Sequence, residues 1–316
     1  MLIVTPLFLS ISMQVYGISK PMEYVTEARR QQEQEDIEEE MAVPLPRSIT
    51  GPKLKAFEGD IESIQFKKLL SSDDDEHSRD DQIPHSRVFR VSIEGKTFSL
   101  KIFNFFTIQQ LRPDVFGKEH LLKDNIVRHQ LDPFYAECRA FGLLVEKERD
   151  DELAVRCHGY VFLSDALERQ IEHQFGIRDW NRKAEHESSQ LRAIVKDYIV
   201  WKSLRHRKSF EAMRNNLKEL NKLGIYNMDV REANYLGGRL FDFSIAITFP
   251  HISLWPKLWS VQQILNDKAT DLGCFDSMVE RVRKREESER VLPPRKKQRT
   301  RPVTRSQKSK VLAAGI

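Results

Sequence analysis

Three acid or amide side chains stand at short spacings in the segment Gly224 to Ser244, GIYNMDVREANYLGGRLFDFS. Asp229 and Asn234 are five residues apart, and Asp242 follows a glycine pair that predicts a tight turn. A carboxylate beside a substrate hydroxyl can act as a general base, and carboxylate and amide oxygens are ligands that Mg²⁺ accepts. The pattern therefore allows general-base and metal-binding chemistry at Asp229, Asn234 and Asp242.

A lysine and a glutamate upstream could complete such a site. Lys101 lies in the predicted strand Lys96 to Phe103, and Glu137 lies in the predicted helix Asp132 to Val145. In protein kinases a strand lysine contacts the nucleotide phosphates and pairs with a helix glutamate. The order of strand, helix, loop and hairpin resembles a protein kinase. This resemblance implies Asp229 as the base, Asn234 and Asp242 as metal ligands, and ATP with Mg²⁺ as cofactor if the site is live. An unrelated α+β domain with a coincidental DFS is the alternative.

The chain departs from the kinase pattern where nucleotides and peptides bind. The run Ser71 to Asp81, SSDDDEHSRDD, replaces the glycine-rich loop, and its carboxylates would repel a triphosphate by on the order of 1 kcal/mol each. The usual His-Arg before the catalytic Asp is Asn227-Met228, the Gly of Asp-Phe-Gly is Ser244, and no Ala-Pro-Glu segment follows. We therefore predict a noncatalytic pseudokinase without a cofactor, with an active, divergent ATP-dependent protein or small-molecule kinase as the alternative.

Local patterns predict the elements that must position these residues. Five strands are predicted over Ile61 to Leu70, Ser86 to Ile93, Lys96 to Phe103, Ala154 to Leu163 and Leu191 to Val200. Glu94-Gly95 has the two-residue length of a tight hairpin, and Ser209 to Leu223 has the apolar spacing of an amphipathic helix. The fold class is α+β and protein-kinase-like, with a small antiparallel-sheet N-lobe and a truncated, mainly helical C-lobe.

Composition divides the chain into three parts. We predict a disordered N-terminal segment over 1–51, a kinase-like domain over 52–280 and a basic disordered tail over 281–316. Only a short helical stretch is expected between Pro250 and the tail, and residues 165–190 form an insertion without recognisable chemistry. The region Arg281 to Lys310 carries 13 Lys or Arg against 3 Glu, or +10, which leaves +4 − 10 = −6 for the other residues.

The basic tail holds a candidate bipartite nuclear-import signal in two clusters. Its residues are Arg283, Lys284, Arg285, Arg295, Lys296, Lys297 and Arg299. The predicted partner is a nuclear-import receptor. Nonspecific DNA contact through the same charges is a second possibility, and a merely solubilising tail is the plain alternative.

Other functional classes have little support in the sequence. Three widely spaced cysteines favour neither a disulfide framework nor a zinc motif, and no H-E-x-x-H, G-x-S-x-G or P-loop motif occurs. The opening run MLIVTPLFLSISM is too short to span a bilayer and lacks a preceding basic residue, so we expect no membrane partner. Secretion is less favoured than an over-extended start, with the initiator at Met13 or Met22.

Four blocks carry a more specific resemblance, which extends from about Lys53 to Pro250. They are FSLKIF, FYAECRAFGLL, VRCHGYVFL and GIYNMDVREANYLGGRLFDFSIAI. These blocks resemble the fungal Fta-type subunits of the Sim/Mis inner-kinetochore complex, whose domain is itself related to protein kinases. The resemblance implies a noncatalytic, protein-binding role at the nuclear centromere, in centromere assembly and chromosome segregation, with other inner-kinetochore proteins as partners. Such families also include uncharacterised kinase-like paralogues.

Overall fold

A computed structural model describes residue 45 and residues 49–71, 84–200 and 207–291 of the chain. Most of the predicted N-terminal segment, the acidic loop after Ser71 and the second basic cluster lie outside these residues. Within the described ranges, no helix has the length and apolar character needed to cross a membrane.

The larger sheet is antiparallel and has five strands in the order β1-β2-β3-β5-β4. The strands are β1 Gln65–Leu69, β2 Ser86–Ile93, β3 Lys96–Phe103, β4 Cys157–Leu163 and β5 Leu191–Asp197. Glu94 and Gly95 connect β2 to β3 with positive φ angles of 49° and 77°, as a tight hairpin turn requires. This confirms the predicted hairpin. The first strand is shorter than predicted, because Ile61–Ser63 form a 3₁₀ turn before it.

Seven helices and two small strand pairs complete the described fold. The helices are α1 Ile108–Leu111, α2 Asp124–Leu131, α3 Pro133–Glu146, α4 Asp150–Leu153, α5 Asp165–Phe175, α6 Arg207–Lys222 and α7 Val261–Val291. The small strands are β6 Ile225–Tyr226, β7 Tyr235–Leu236, β8 Arg239–Leu240 and β9 Ile247–Thr248. β6 pairs with β9, and β7 pairs with β8. The predicted α+β class, with a small antiparallel sheet and a helical second part, is therefore confirmed.

The last helix is longer than the sequence pattern predicted. α7 has 31 residues and continues past residue 280 through the first basic cluster. Apolar residues recur on it at helical spacing and are buried in the same core as Phe210 and Met213 of α6: Phe275, Met278, Val279 and Val282. The expectation of only a short helical stretch after Pro250 was wrong, because one buried face sustains a helix whose other face is charged.

The first described residues form an N-terminal strap, residues 49–57, that lies against α3 and β4. Phe57 donates its backbone N–H to the Tyr160 carbonyl (2.9 Å), and Tyr160 donates to the Lys55 carbonyl (3.1 Å). Gly142 on α3 and Gly159 on β4 allow this approach, since a Cβ at either position would lie 2.6 Å from strap backbone atoms. The strap therefore holds α3 against the sheet from outside.

Two helix glycines give opposite predictions for substitution by alanine. Glycine inside a helix normally costs about 0.5–1 kcal/mol relative to alanine, so Gly273→Ala on α7, with no atom near its Cβ position, should stabilise the protein. At Gly142 the new Cβ would collide with the Lys53 carbonyl carbon and the Leu54 nitrogen. We expect Gly142→Ala to destabilise by about 1–3 kcal/mol in urea unfolding. Equal stabilisation by both changes would contradict the placement of the strap.

Candidate functional site

The centre of the site is an ion pair between the sheet and α3. Lys101 lies on β3, between β2 and β5, and its Nζ is 2.6 Å from Glu137 Oε2 on α3. Both side chains are buried, with 1% and 0% exposure. α3 begins at Pro133 because Asp132 caps it, and it begins next to the sheet because Arg192 on β5 pairs with Asp132 at 3.1 Å. The structure therefore brings together the two residues that the sequence could only place on separate elements.

Asp242 is the second carboxylate on Lys101. Its Oδ1 lies 2.7 Å from Lys101 Nζ and also accepts the Ser244 backbone N–H at 2.9 Å. The β7–β8 hairpin leads directly to this position, and Gly237 and Gly238 form its turn with φ angles of 59° and 82°. The side chain of Asp242 keeps 25% exposure, so it alone of the three groups faces solvent in part.

A second lysine, which the sequence reasoning missed, completes the cluster. Lys196 on β5 places its Nζ 2.7 Å from Glu137 Oε1 and 2.7 Å from the Phe241 carbonyl oxygen. Its side chain is only 4% exposed. The sequence did hold a signal for it, because Lys196 lies in a strand that was predicted to be buried, and a buried lysine needs an acceptor for its charge. We call Lys101, Glu137, Lys196 and Asp242 the buried charge cluster.

Opposite charges within the buried charge cluster balance one another. Burial by itself would raise the pKa of Asp242, but the charges of Lys101 and Lys196 outweigh burial and hold that pKa far below its usual range. Burial likewise would lower the pKa of Lys101, whereas Asp242 and Glu137 raise it. Lys101 and Asp242 are therefore both charged at neutral pH, and each stabilises the charge of the other.

Asp229 and Asn234 form a separate pair beside the cluster. Asn234 donates its amide N–H groups to the Asp229 carbonyl oxygen and to its carboxylate Oδ2, both at 2.8 Å. Arg231 Nε lies 3.1 Å from the same carboxylate, which is 37% exposed. The side chain of Asn227 connects this pair to the cluster by donating to the Asp242 carbonyl (2.6 Å) and accepting from Asp229 N (3.2 Å).

Asp271 on α7 supports this loop. Its role was not predicted from the sequence. Its two carboxylate oxygens accept the backbone N–H groups of Asn227 (2.7 Å) and Met228 (2.8 Å). Met228 has a φ of 65°, a conformation that costs a non-glycine residue free energy. Burial raises the pKa of Asp271, and the two backbone hydrogen bonds oppose that shift. Asp271 therefore acts as a buried brace that holds the loop carrying Asp229.

A pocket of about 370 Å³ lies beside the site, next to the residues that follow Asp242. It is lined by His85, Phe106, Gln110, Leu111, Gln130, Leu131, Pro133, Ala136, Met228, Ile245, Ala246, Ile247, His251 and Ser253. Burial lowers the pKa of His85, whose Nδ1 lies 3.2 Å from Ser244 Oγ, and burial lowers the pKa of His251 to about 4. Both histidines are therefore neutral at neutral pH.

The partners of His251 predict a pH dependence of stability. Its Nε2 donates to the Gln130 carbonyl (2.7 Å) and its Nδ1 accepts the Ser253 N–H (3.1 Å), so the fold requires the neutral ring. With a folded pKa of about 4 and an unfolded pKa near 6.5, this contribution is complete above pH ~6.5 and is lost as the pH falls towards 4. The total loss is about 3 kcal/mol.

The variant His251→Gln isolates this effect from other titrating groups. We expect its deficit in free energy of unfolding, relative to the unchanged chain, to be large at pH 7 and to shrink towards pH 4.5. The exposed His173 on α5 provides the control, and His173→Gln should change the free energy of unfolding little. Urea unfolding at several pH values measures both, and an equal deficit of His251→Gln across the range would disprove the assignment.

The first basic cluster lies on the exposed surface of α7. Lys284 pairs with Glu280 (2.6 Å), and Arg285 pairs through both terminal nitrogens with Glu232 (2.9 Å each). Arg283 is exposed, and Val282 beside it is buried. These residues are therefore helical, in place of the disordered tail predicted from residue 281. Their role in nuclear import stays a prediction.

Fold and site together define an α+β protein in which an antiparallel sheet and a helical part enclose a buried lysine and carboxylate cluster. The family model described as Kinetochore Sim4 complex subunit FTA2 matches residues 41–247, and the chain belongs to this family. Membership confirms the predicted resemblance and implies kinetochore proteins as partners and the centromere as location. The matched range includes the four members of the buried charge cluster and ends before α7. No curated protein sequence matches the chain.

Proposed function

We propose that this chain is a noncatalytic, kinase-like, protein-binding subunit of the fungal inner kinetochore that acts in centromere assembly and chromosome segregation. The observation that carries the noncatalytic part is the burial and double pairing of Lys101. The pair of Lys101 with Glu137 is one that active kinases also keep. The second bond of Lys101, to Asp242 at 2.7 Å, occupies the carboxylate that would hold the metal, and the lysine is only 1% exposed.

Lys196 adds to the enclosure of this cluster, because its Nζ binds the other oxygen of Glu137 at 2.7 Å. In an ATP-binding cleft the lysine and the metal-binding aspartate both serve the phosphates. In this chain Lys101 and Asp242 bind each other, which supports a structural role for the two positions.

One of the two candidate metal ligands is already engaged. Asp242 Oδ1 accepts from Lys101 and from the Ser244 N–H, whereas Asn234 donates to Asp229 through its amide nitrogen and so keeps its oxygen for other partners. Among the described residues, no group of three or more His, Cys, Asp or Glu side chains could hold a metal ion. We infer from the pairing of Asp242 with Lys101 that the chain binds no Mg²⁺ with ATP. The partly exposed Asp229, held by Asn234, is the observation that favours the alternative of an active phosphotransferase.

A thermal shift experiment on the full chain separates the two functions. We expect no change in the unfolding midpoint with millimolar Mg²⁺ and ATP, whereas a ligand at about 100 times its Kd would add roughly 2.7 kcal/mol of stability. Asp242→Asn serves as the site variant, and Asp276→Asn, at an exposed carboxylate paired with Arg214, serves as the matched control. A shift that survives Asp276→Asn and vanishes in Asp242→Asn would favour the enzyme.

Location and partners follow from family membership as the second half of the proposal. We expect a tagged full chain to accumulate in the nucleus and to form centromeric foci during mitosis. Removal of residues 292–316 tests the import signal, because it deletes Arg295, Lys296, Lys297 and Arg299 and leaves the cluster on α7. Salt-sensitive DNA binding that disappears with the same deletion would support nonspecific DNA contact by the tail. Mitotic cells without centromeric foci would contradict the proposed location.

A further inference from the structure

The pocket beside the site differs from the rest of the chain in its charge. Among the residues that the structure describes, no Asp, Glu, Lys or Arg lines it, although these residue types make up 31% of the chain. Its neutral histidines add no charge at neutral pH. A phosphate, nucleotide or carboxylate ligand would find no opposite charge there, and burying such a group unpaired is costly. The pocket therefore suits an uncharged, largely apolar group.

Large apolar side chains extend this character to the surface around the pocket. Ile245 lines the pocket and is 43% exposed, and Phe249 is 63% exposed. Phe249 lies in sequence between the lining residues Ile247 and His251, and its backbone N–H donates to the Gly224 carbonyl at 2.9 Å. The backbone that presents the exposed ring is thus fixed. We call Ile245 and Phe249 the apolar rim.

The floor of the pocket is held in place before any ligand arrives. His251 is bonded on both ring nitrogens, and Gln130 Oε1 accepts the Ile252 N–H at 2.7 Å. Pro133 and Ala136 belong to α3, which the N-terminal strap and the buried charge cluster fix in position. Binding therefore requires little new ordering on this side of an interface, which favours affinity.

We propose that the pocket and its apolar rim form a docking site for an uncharged aliphatic or aromatic anchor residue of another protein in the kinetochore complex. The inference rests on the proposed protein-binding function and names the surface that performs it. Interface centres are depleted in charge and commonly place a large apolar side chain in a preformed pocket. A small ligand could fill the pocket but would leave Phe249 uncovered, whereas a protein surface covers both.

The test measures binding of the full chain to the reconstituted remaining subunits of the complex. Ile245→Asp with Phe249→Asp charges the rim, and Ala136→Leu fills the pocket from within. Val261→Asp with Leu265→Asp on α7 is the matched control, since these side chains are also apolar and exposed, at 67% and 54%. Thermal midpoints verify folding, and if Ala136→Leu does not fold, the rim variant decides alone. We expect at least tenfold weaker binding for the rim and pocket variants and less than twofold change for the control.

Each of the other possible results contradicts a specific part of the proposal. If the unchanged chain binds and the rim variant binds equally well, the docking site is wrong while the proposed function stands. If the unchanged chain does not bind, the proposed function fails and the docking site fails with it. A well-folded Ala136→Leu that loses a neutral dye such as Nile red from the pocket, yet keeps the protein partner, would show a small-molecule site.

Discussion

Replacement of Glu137 by alanine is expected to destabilise this protein more than any other single change that we consider. Lys101 and Lys196 would lose the carboxylate that they share while both remain buried. Removing one partner of a buried ion pair costs about 3–5 kcal/mol, a large fraction of the 5–15 kcal/mol by which native proteins are typically stable. Circular dichroism in urea should show a greatly lowered midpoint or a chain that is unfolded in water.

Two further variants define what Glu137 contributes. Glu137→Gln keeps the shape and one acceptor oxygen but removes the charge, so its cost should be intermediate. Glu152→Ala removes a glutamate that is 59% exposed and paired with Arg149, and exposed pairs contribute only about 0–1 kcal/mol. If Glu137→Ala lowered the stability as little as Glu152→Ala, the two lysines would have to reach solvent in the variant. The buried charge cluster would then be wrong.

The second large effect is expected for Asp271→Ala. The change leaves the buried N–H of Asn227 and the half-buried N–H of Met228 without an acceptor, and an unsatisfied buried group costs about 1–3 kcal/mol. The left-handed conformation of Met228 also loses the hydrogen bond that holds it. We therefore expect a loss of about 2–4 kcal/mol in urea unfolding, together with faster hydrogen exchange at residues 227 and 228.

Controls on the same helix separate this brace from a general effect on α7. Asp267 lies one helical turn earlier and is half-buried, and Asp267→Ala should cost little and leave exchange at residues 227 and 228 unchanged. Asp271→Asn retains one acceptor oxygen and should restore part of the lost stability. Exchange that accelerates throughout α7 in Asp271→Ala, with no preference for the loop, would show that the carboxylate stabilises the helix alone.

Local patterns were sufficient to predict much of the sheet and the order of the site residues. The hairpin of β2 and β3 follows from alternating apolar residues around Glu94 and Gly95, which are neighbours in sequence. The placement of Lys101 on the third predicted strand and of Glu137 on the following helix came from local patterns and from the likeness to the order of elements in a kinase. The structure brings the two side chains together and adds the contact of Lys101 with Asp242.

The features that sequence reasoning missed depend on contacts between distant parts of the chain. Lys196 meets Glu137 across 59 positions, and Asp271 meets Asn227 across 44. Neither pairing leaves a local pattern, because the choice of partner is made by sheet order and helix packing. The length of α7 was obscured for another reason: its buried face is narrow and the charges between the apolar residues resemble those of a solvated tail.

The guanidinium of Arg139 has a consequence for how the protein unfolds. It donates to the carbonyl oxygens of Thr50 in the strap and of Thr248 and Pro250 at the end of β9. It therefore joins α3 to two segments that lie 89 to 111 positions away in sequence. Fraying of the strap would leave this buried cation short of acceptors and weaken its hold on the far segment as well. The beginning of the domain and the region preceding α7 therefore share one cooperative unit, in which neither end can open without loosening the other.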